Sequence, residues 1–572
     1  MIRYCLLTVG LLFGIATSAQ QSKLKQELSI TLKQQRLEDV LFLIAEKGAF
    51  NISFNPKVIE SDSLITESYQ KEEVISILND LLPSHIEVID LGHSILLRDV
   101  SMPKTPLKKI EMRGLIQDQN EKPVSGALLF EVEGLVSTLS GEDGTFHLNE
   151  KLQESGRLTF SVTKEGCLDT LVQISVNNDP VLIQLNCRLK ENELIPLMPL
   201  KEYTLPHVPY VLVPLKVQES STQSKATLFR KYQFSLVPGI GTNQLLGGLV
   251  ENQYSLNLVG GYSLGVSKIE MGAGFNIVRT DAQYLQMAGG FNMVGANFKG
   301  LQMAGGFNYV GHDYNGVQLT GGVNYIGSNF RGTQLSGGVN IINGNFNGVQ
   351  ISGGYNHARI SDGIQLAGGI NLADTLIGLQ LAPVNVVRVM KGVQVGVVNV
   401  ADSSTGPMFG LVNIVRKGGV RSLELSSDIL PHLNLVFKLG TPQWYNIYSA
   451  GGSYINNQIL WNYGLGFGTR RILKSQRPIY YESMVHWLFE GKRDQPMHYG
   501  LWSSQVAIGN KSFRKIQLSA GPTFNLLLFN PSNALEGTKS ILPYRFLSVT
   551  NSSFQIDAWV GFKIFLGFGN KF

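Results

Sequence analysis

Apolar and polar positions alternate through most of the second half of the chain, and between 269 and 415 the alternating unit itself recurs. Tyr284–Gly300 reads YLQMAGGFNMVGANFKG, and LQMAGGFNYVGHDYNG, VQLTGGVNYIGSNFRG and TQLSGGVNIINGNFNG follow it. Glutamine returns at Gln286, Gln302, Gln318, Gln334, Gln350, Gln365, Gln380 and Gln394. Asparagine returns at Asn276, Asn292, Asn308, Asn324, Asn340, Asn356, Asn371, Asn385, Asn399 and Asn413. The period is 16 residues, shortening to 15 and then 14. A fixed period of this length means one small unit stacked on copies of itself, stable only as an array. Val, Ile, Phe, Tyr and Thr dominate it, which makes the unit a β element.

Two β architectures fit. Each repeat is either a strand of about 10 residues in a membrane barrel or one coil of a β-solenoid, its short strands stacked in parallel on the next coil. Glutamine and asparagine are six apart from Gln286 to Gln350 but five apart at Gln380/Asn385 and Gln394/Asn399. On one straight strand that change would move them to opposite faces. A corner between them absorbs it, and Gly305–Gly306, Gly321–Gly322 and Pro383 stand where that corner would be. Phe298, Tyr314, Phe330, Phe346, Ile360 and Leu376 recur where a barrel would have a turn, and they suit inward positions of a coil. A β-bulge inside a barrel strand would also absorb the spacing change. The spacing favours the solenoid.

Alternation without repetition returns from 420 to 572. LELSSDIL, LNLVFKLG, YNIYSAGGSYI, WNYGLGFGTRRIL, IYYESMVHWLF, GLWSSQVAIG and IQLSAGPTFNLLLF read as strands. In the last run Phe554, Ile556, Ala558, Val560, Phe562, Ile564, Leu566 and Phe568 share one parity, and Gln555, Asp557, Gly561 and Lys563 the other. That predicts about 25 Å of lipid-facing strand. Trp444, Tyr445, Trp461, Tyr480, Tyr481 and Trp502 are placed for interfacial girdles, and the chain ends on Phe572. KYQFSLVPGIGTN and YSLNLVGGYSLGV, within 231–268, read as the first strands of the same barrel.

The first part of the chain has a different rhythm. Between 23 and 100 the order is β-α-β-β-α-β-β, with Leu37, Val40, Leu41 and Ile44 on one helix face and Val74, Ile77, Leu78 and Leu81 on another. A short linker, Ser101–Pro106, leads to alternating strands over 107–187, with Asp143–Gly144 as a tight hairpin turn. From 188 to 230 five prolines and then a polar run predict an extended tether.

Composition narrows the setting. MIRYCLLTVGLLFGIATSAQ has Arg3, an apolar run from Leu6 to Ile15 and small residues before Gln20, so 1–19 reads as a secretory signal peptide. No later stretch is apolar for long enough to be a membrane-spanning helix, so any crossing is by strands. A charge of +5 over 572 residues, without a basic cluster, argues against nucleic acid as a partner. Cys167 and Cys187 fit either a disulfide or buried thiols.

Candidate chemistry is sparse. Gly261-Tyr262-Ser263-Leu264-Gly265 matches G-x-S-x-G but sits in an alternating strand, away from the strand-to-helix turn that pattern requires. Glu142 and Asp143 fall short of a calcium ligand set. The nine histidines, His147 and His312 among them, show no metal spacing. The expectation is a non-enzymatic protein with no catalytic, cofactor-binding or metal-binding residue and no cofactor.

Three resemblances add to this. The paired strand-helix halves of 23–100 resemble the secretin and TonB short N-terminal (STN) domain, which implies a periplasmic signalling or docking role. Gly114, Asp118, Pro123, Val124, Gly126, Ala127 and Glu142–Phe146 resemble the carboxypeptidase regulatory-like domain, a non-catalytic β-sandwich. The GVQ…VN units from Gln286 to Asn413 resemble the surface repeats of leptospiral and related envelope proteins, which implies location only. A terminal Phe after the last strand resembles the barrel insertion signal.

The expected fold is therefore multidomain: a small α+β domain (23–100), a β-sandwich (107–187), a Pro-rich linker (188–230) and an all-β outer-membrane barrel (231–268 and 420–572). The barrel carries the repeat array (269–415), as a β-solenoid in preference to extra barrel strands. The expected function is a surface or receptor-like outer-membrane protein with its N-terminal domains in the periplasm. Its expected partners are outer-membrane lipid, a periplasmic or inner-membrane signalling protein and an extracellular ligand. The rival is a transporter or pore in which the repeats widen the barrel.

Overall fold

Apolar residues at helical spacing do form the two expected helices of the first segment. Leu37–Gly48 buries Leu37, Val40, Leu41 and Ile44, with Glu38 and Asp39 in its first turn and Lys47 in its last, which complements the helix dipole. Val74–Leu81 buries Val74, Ile77 and Leu78. Around them Glu27–Thr31 pairs antiparallel with Ser68–Glu73, and Asn51–Ser53, Ser94–Asp99 and Ile86–Asp90 form a second sheet. The computed structural model describes residues 23–54, 59, 62–90, 94–99, 107–132, 134–153, 157–175, 180–187, 209–224, 226–455, 458–490, 498–510, 516–530, 545–551 and 553–569. The expected signal peptide (1–19), the Ser101–Pro106 linker, residues 188–208 and the terminal Phe572 lie outside these. Two compact units divide the chain, Met1–Asn329 and Phe330–Phe572.

Within the first unit, the strands of 107–187 form two sheets around Ile116, Leu129, Phe146, Phe160 and Val162. Asp143–Gly144 is a tight turn, but it is not the expected hairpin. Ser137–Leu139 before it pairs in one sheet and Thr145–Gln153 after it in the other, so the turn is the corner between sheets. Gly144 has φ +75°, which suits glycine. Cys167 and Cys187 are joined in a disulfide.

The described part of 188–230 is not an extended tether. Pro209–Leu212 and Leu215–Gln223 are helical, and Val213 and Val217 pack on Tyr262, Ile277 and Met293. Ile89, Leu128, Phe130, Leu228, Leu246 and Val250 form one apolar cluster, and Thr227 N donates to Asp90 O at 2.9 Å. The small domains are thereby packed onto the strands that follow. The apolar face of those strands recruited the helix despite its prolines.

Residues 231–268 are not barrel strands either. Leu228–Val237 runs parallel to Val250–Asn257, which runs parallel to Gly265–Gly272 and so to Ala282–Ala288. They are the first coils of a β-solenoid. Each later coil of this unit has a longer strand such as Phe298–Ala304, a Gly-Gly corner, a short strand such as Phe307–Val310 and a second corner. Identical positions face one another: Gln286 with Gln302, Gln302 with Gln318, Asn292 with Asn308. A Cβ on Gly305 would stand 2.2 Å from Gly289 O, so the coils close up at this corner only because it is glycine.

The second unit holds coils of the same kind from Phe330 to Lys417, again parallel and in register. The repeats are therefore not extra barrel strands, and the widened-pore arrangement is excluded. Phe298, Tyr314, Phe330, Phe346 and Leu376 face inward as expected, but Ile360 does not. The first shortening of the period moves Ser361 into register with Phe346 and Leu376.

Among the described residues eight strands close the barrel, all of them after the repeats. They are Val420–Ser427, Leu433–Gly440, Tyr445–Ile455, Gln458–Ile472, Pro478–Glu490, His498–Gly509, Ile516–Phe529 and Gln555–Gly569. Neighbours are antiparallel, and Val420–Ser427 pairs with Gln555–Gly569 to complete the ring. The array thus precedes the barrel; it is not inserted between early and late barrel strands.

Candidate functional site

Three features are built from the repeats and the barrel: an amide-filled coil interior, a polar and packed barrel lumen, and an apolar barrel wall. In the coils every ladder glutamine and asparagine is fully buried. Gln302 Nε2 donates to Gln286 Oε1 at 2.8 Å, and Gln318 Nε2 to Gln302 Oε1 at 2.8 Å. The asparagines point the other way: Asn276 Nδ2 donates to Asn292 Oδ1, and Asn292 Nδ2 to Asn308 Oδ1, both at 2.9 Å. The second Nδ2 proton goes to the next coil's backbone, as from Asn292 to Met303 O at 2.6 Å. The second unit repeats both patterns, with Gln365 donating to Gln350 at 2.7 Å and Asn356 to Asn371 at 3.0 Å. A side-chain amide carries both donor and acceptor, so identical copies satisfy one another along the stack without water.

The glutamine ladder begins on a carboxylate. Glu270 occupies the glutamine position, in register with Gln286. Its Oε2 accepts from Gln286 Nε2 at 2.8 Å, and its Oε1 from Asn257 Nδ2 at 3.0 Å and Ser255 Oγ at 3.3 Å. Burial raises the Glu270 pKa, and these three donors offset part of the rise. Sequence reasoning missed Glu270, although aligning IEMGAGFNIV on LQMAGGFNMV would have found it. In the second unit the last ladder glutamine, Gln394, faces Met408 in place of a glutamine, and its Oε1 is left buried without a partner.

In the barrel, alternation sends polar residues inward. Lys438 Nζ lies 2.7 Å from Glu424 Oε2 and 2.5 Å from Glu482 Oε1, with 3% of its side chain exposed. Tyr445 Oη donates to Glu482 Oε1 at 2.6 Å, and Gln505 Nε2 donates to Glu482 Oε2. Tyr445 and Tyr480 are therefore lumen residues, contrary to the girdle expected of them; their parity follows Ile447 and Met484, not the wall. Leu460, Leu488, Leu501, Phe529 and Trp559 pack another part of the interior. An eight-stranded ring has room for little beyond its own side chains. The Lys438 cluster was also missed in the sequence, where Asn434, Val436 and Lys438 share the inward parity.

The wall is the reverse. Val560 and Phe562 are 60% and 58% exposed, and Ile564, Leu566 and Phe568 continue the face while Gln555, Asp557 and Lys563 are buried. Trp559 and Phe565 also face inward, and Ala558 is covered where Leu547–Thr550 pairs alongside. Phe437, Trp461, Leu465, Tyr481, Trp502 and Leu518 are exposed on other strands of the ring.

Ser263 of G-x-S-x-G is fully buried in the strand Gly260–Ser263, not on an elbow. Asp143 Oδ1 accepts from Thr145 N and Oγ1 at 3.0 and 2.7 Å, which lowers its pKa. His147 Nε2 lies 3.2 Å from Glu111 Oε1. Among the described residues no group of three or more His, Cys, Asp or Glu is placed to hold a metal ion. Among them, too, no helix is long and apolar enough to cross a membrane, which leaves strands untouched by that test. Compared with known protein families and with curated proteins, the sequence matches none.

Proposed function

We propose that this is a non-enzymatic outer-membrane protein of receptor-like type, with its N-terminal domains in the periplasm, where they dock a periplasmic or inner-membrane partner. The observation that carries the reading is the inverted polarity of the barrel: charge and amide inside, a continuous aliphatic and aromatic face outside. Soluble proteins rarely expose so large an apolar face. Covering each such side chain with hydrocarbon returns about 1.5–3 kcal/mol. The even number of strands places both barrel ends on one side. Connections there are 441–444, 473–477 and 510–515, while the opposite end carries 428–432, 456–457, 491–497 and the much longer stretch after Phe529. A periplasmic side with short turns only, and the one long connection outside, fit this orientation.

The packed lumen favours binding or relay over transport. The resemblance of 23–100 to receptor signalling modules supplies the docking role. Fractionation should find the protein in outer membranes as a band whose mobility changes on heating. A soluble periplasmic product with no such band would refute the location. If deleting Lys23–Val100 left every transcriptional and binding phenotype unchanged, the relay would be refuted.

A further inference from the structure

The coils of the second unit share the barrel's inverted polarity. On either side of the Gly-Gly corner, glutamine and asparagine point inward and the residue beside each of them on the corner side points outward, while Ser352, Ala367 and Ala382 between these are buried. One outward row is Ile351, Leu366, Leu381, Val395 and Phe409, in register from coil to coil. The row across the corner is Tyr355, Ile370, Val384, Val398 and Val412. The corner itself turns apolar toward the barrel: Gly368–Gly369 gives way to Ala382–Pro383, Gly396–Val397 and Gly410–Leu411. Val397 and Leu411 are 50% and 62% exposed. Charges keep to the other corner, where Arg388 pairs with Asp374 at 3.2 Å and Arg416 with Asp402 at 2.9 Å.

The way this stack meets the barrel says what covers the apolar edge. Tyr445 and Ile447 face the lumen, so Asn446 and Tyr448 face outward. Asn413, the last rung of the asparagine ladder, donates to Asn446 Oδ1 at 3.1 Å. Asn446 Nδ2 in turn donates to Gly410 O and, at 3.1 Å, to Leu411 O. The final coil is therefore seated on the outer wall of the barrel, and the coils stack away from that wall sideways. Phe409, the last residue of its row, lies 4.9 Å from Trp444, and Trp444 stacks on Phe467 at 4.6 Å. Phe467 is part of the exposed wall. The apolar edge of the coils and the wall of the barrel are one continuous surface.

We propose that the coils from Phe330 to Lys417 lie along the membrane, with the Gly-Gly corner and its two flanking rows immersed in the same bilayer lipid that surrounds the barrel. The inference rests on the membrane reading of the barrel and goes beyond it. A leaflet that covers Phe467 meets Phe409, and from there the row continues without a polar interruption to Ile351. The amide ladders make such a position tolerable, because the side chains of Gln350, Gln365 and Gln380 bond one another from coil to coil and need no water. The Asp374–Arg388 and Asp402–Arg416 corner then faces the aqueous side, as the polar face of an interfacial amphipathic element does.

The test is collision accessibility of spin labels in the full-length protein, reconstituted in phosphatidylethanolamine–phosphatidylglycerol vesicles. Labels go on Ile370→Cys and Leu381→Cys, with Val560→Cys on the barrel wall and Arg388→Cys on the charged corner as references. The background is Cys5→Ser with the Cys167–Cys187 disulfide intact. All four positions are exposed, so a label displaces nothing buried. The oxygen-to-nickel-chelate ratio should be several-fold higher at 370 and 381 than at 388, and close to that at 560. In the unmodified protein, a photoactivatable phospholipid should crosslink to peptides within 364–412. Water-like values at 370 and 381 with a lipid-like 560, and no crosslink, would overturn the inference while leaving the barrel in its membrane. A water-like 560 would overturn both.

Discussion

The amide ladder makes a quantitative prediction at Gln350. Its Nε2 donates to Gln334 Oε1 at 2.9 Å, its Oε1 accepts from Gln365 Nε2 at 2.7 Å, and the side chain is fully buried. Gln350→Leu keeps the approximate volume and removes both bonds, together with a longer one from Nε2 to His357 O at 3.4 Å. Gln334 Oε1 loses a donor and Gln365 Nε2 an acceptor, and each buried group so deprived costs about 1–3 kcal/mol. The extra apolar carbon of leucine returns on the order of 1 kcal/mol. The net loss is about 1–5 kcal/mol. Gln394→Leu is the control. It removes only the bond to Gln380 Oε1 at 2.8 Å, and it also removes an oxygen that is already buried without a partner. Its cost should be about 0–1 kcal/mol. Hydrogen exchange of the full-length protein in detergent, read over peptides within 339–404, measures both. The Gln350 variant should exchange roughly five-fold to several thousand-fold faster around the substitution. Equal exchange in the two variants, or a larger effect at Gln394, would refute the idea that stacked amides hold the coils together.

Three further outcomes follow from other parts of the chain. Cys187→Ser opens a disulfide whose partners are 20 residues apart, which should cost the sandwich about 3 kcal/mol, read as earlier hydrogen exchange over 128–175. Glu270 has a raised pKa in the fold, so the folded state holds its proton more tightly than the unfolded chain does. Stability of the first coils should be full below the ordinary carboxyl range and fall as pH rises through the raised value; Glu270→Gln should flatten that dependence in denaturant titrations. Lys438→Met strands the Glu424 and Glu482 carboxylates inside the barrel, which should cost about 3–5 kcal/mol and lower the urea concentration at which the heat-modifiable band is lost.

The eight barrel strands from Val420 onward, the coil architecture and both N-terminal helices were legible in the sequence, because each rests on a periodicity that one face imposes. The misreadings have local physical causes. The first coils carry the row Gln233, Ser255, Glu270, Gln286 in register, but the row is no longer all glutamine. The 3-10 helix Gln244–Leu249 interrupts its spacing as well. Stripped of repetition, Leu228–Val237 and Val250–Asn257 show only alternation, which barrel strands and coil strands share. Tyr445 and Tyr480 stand at strand ends, where aromatic residues suit an interface, and only their parity reveals that they face Lys438. The helix Leu215–Gln223 follows a proline and has a mostly polar sequence, so nothing local marks it as the cover of an apolar coil face.

Why glutamine and asparagine carried the period, and not the aliphatic residues beside them, has the same explanation as the fold. Outward positions in register in the second unit vary freely among Leu335, Ile351, Leu366, Leu381 and Val395, because an apolar medium accepts any of them at similar cost. The inward amide positions cannot vary in this way. A glutamine that bonds the glutamine above and the glutamine below fits only another group with one donor and one acceptor at the same reach. Asparagine in that row would fall short, and leucine would orphan both neighbours. Identity is therefore enforced at the amide rows and relaxed at the apolar ones, outside the coil and also inside it, where Phe346, Ser361 and Leu376 share one row. The visible repeat is itself a sign that two rows inside this coil are hydrogen-bonded from copy to copy.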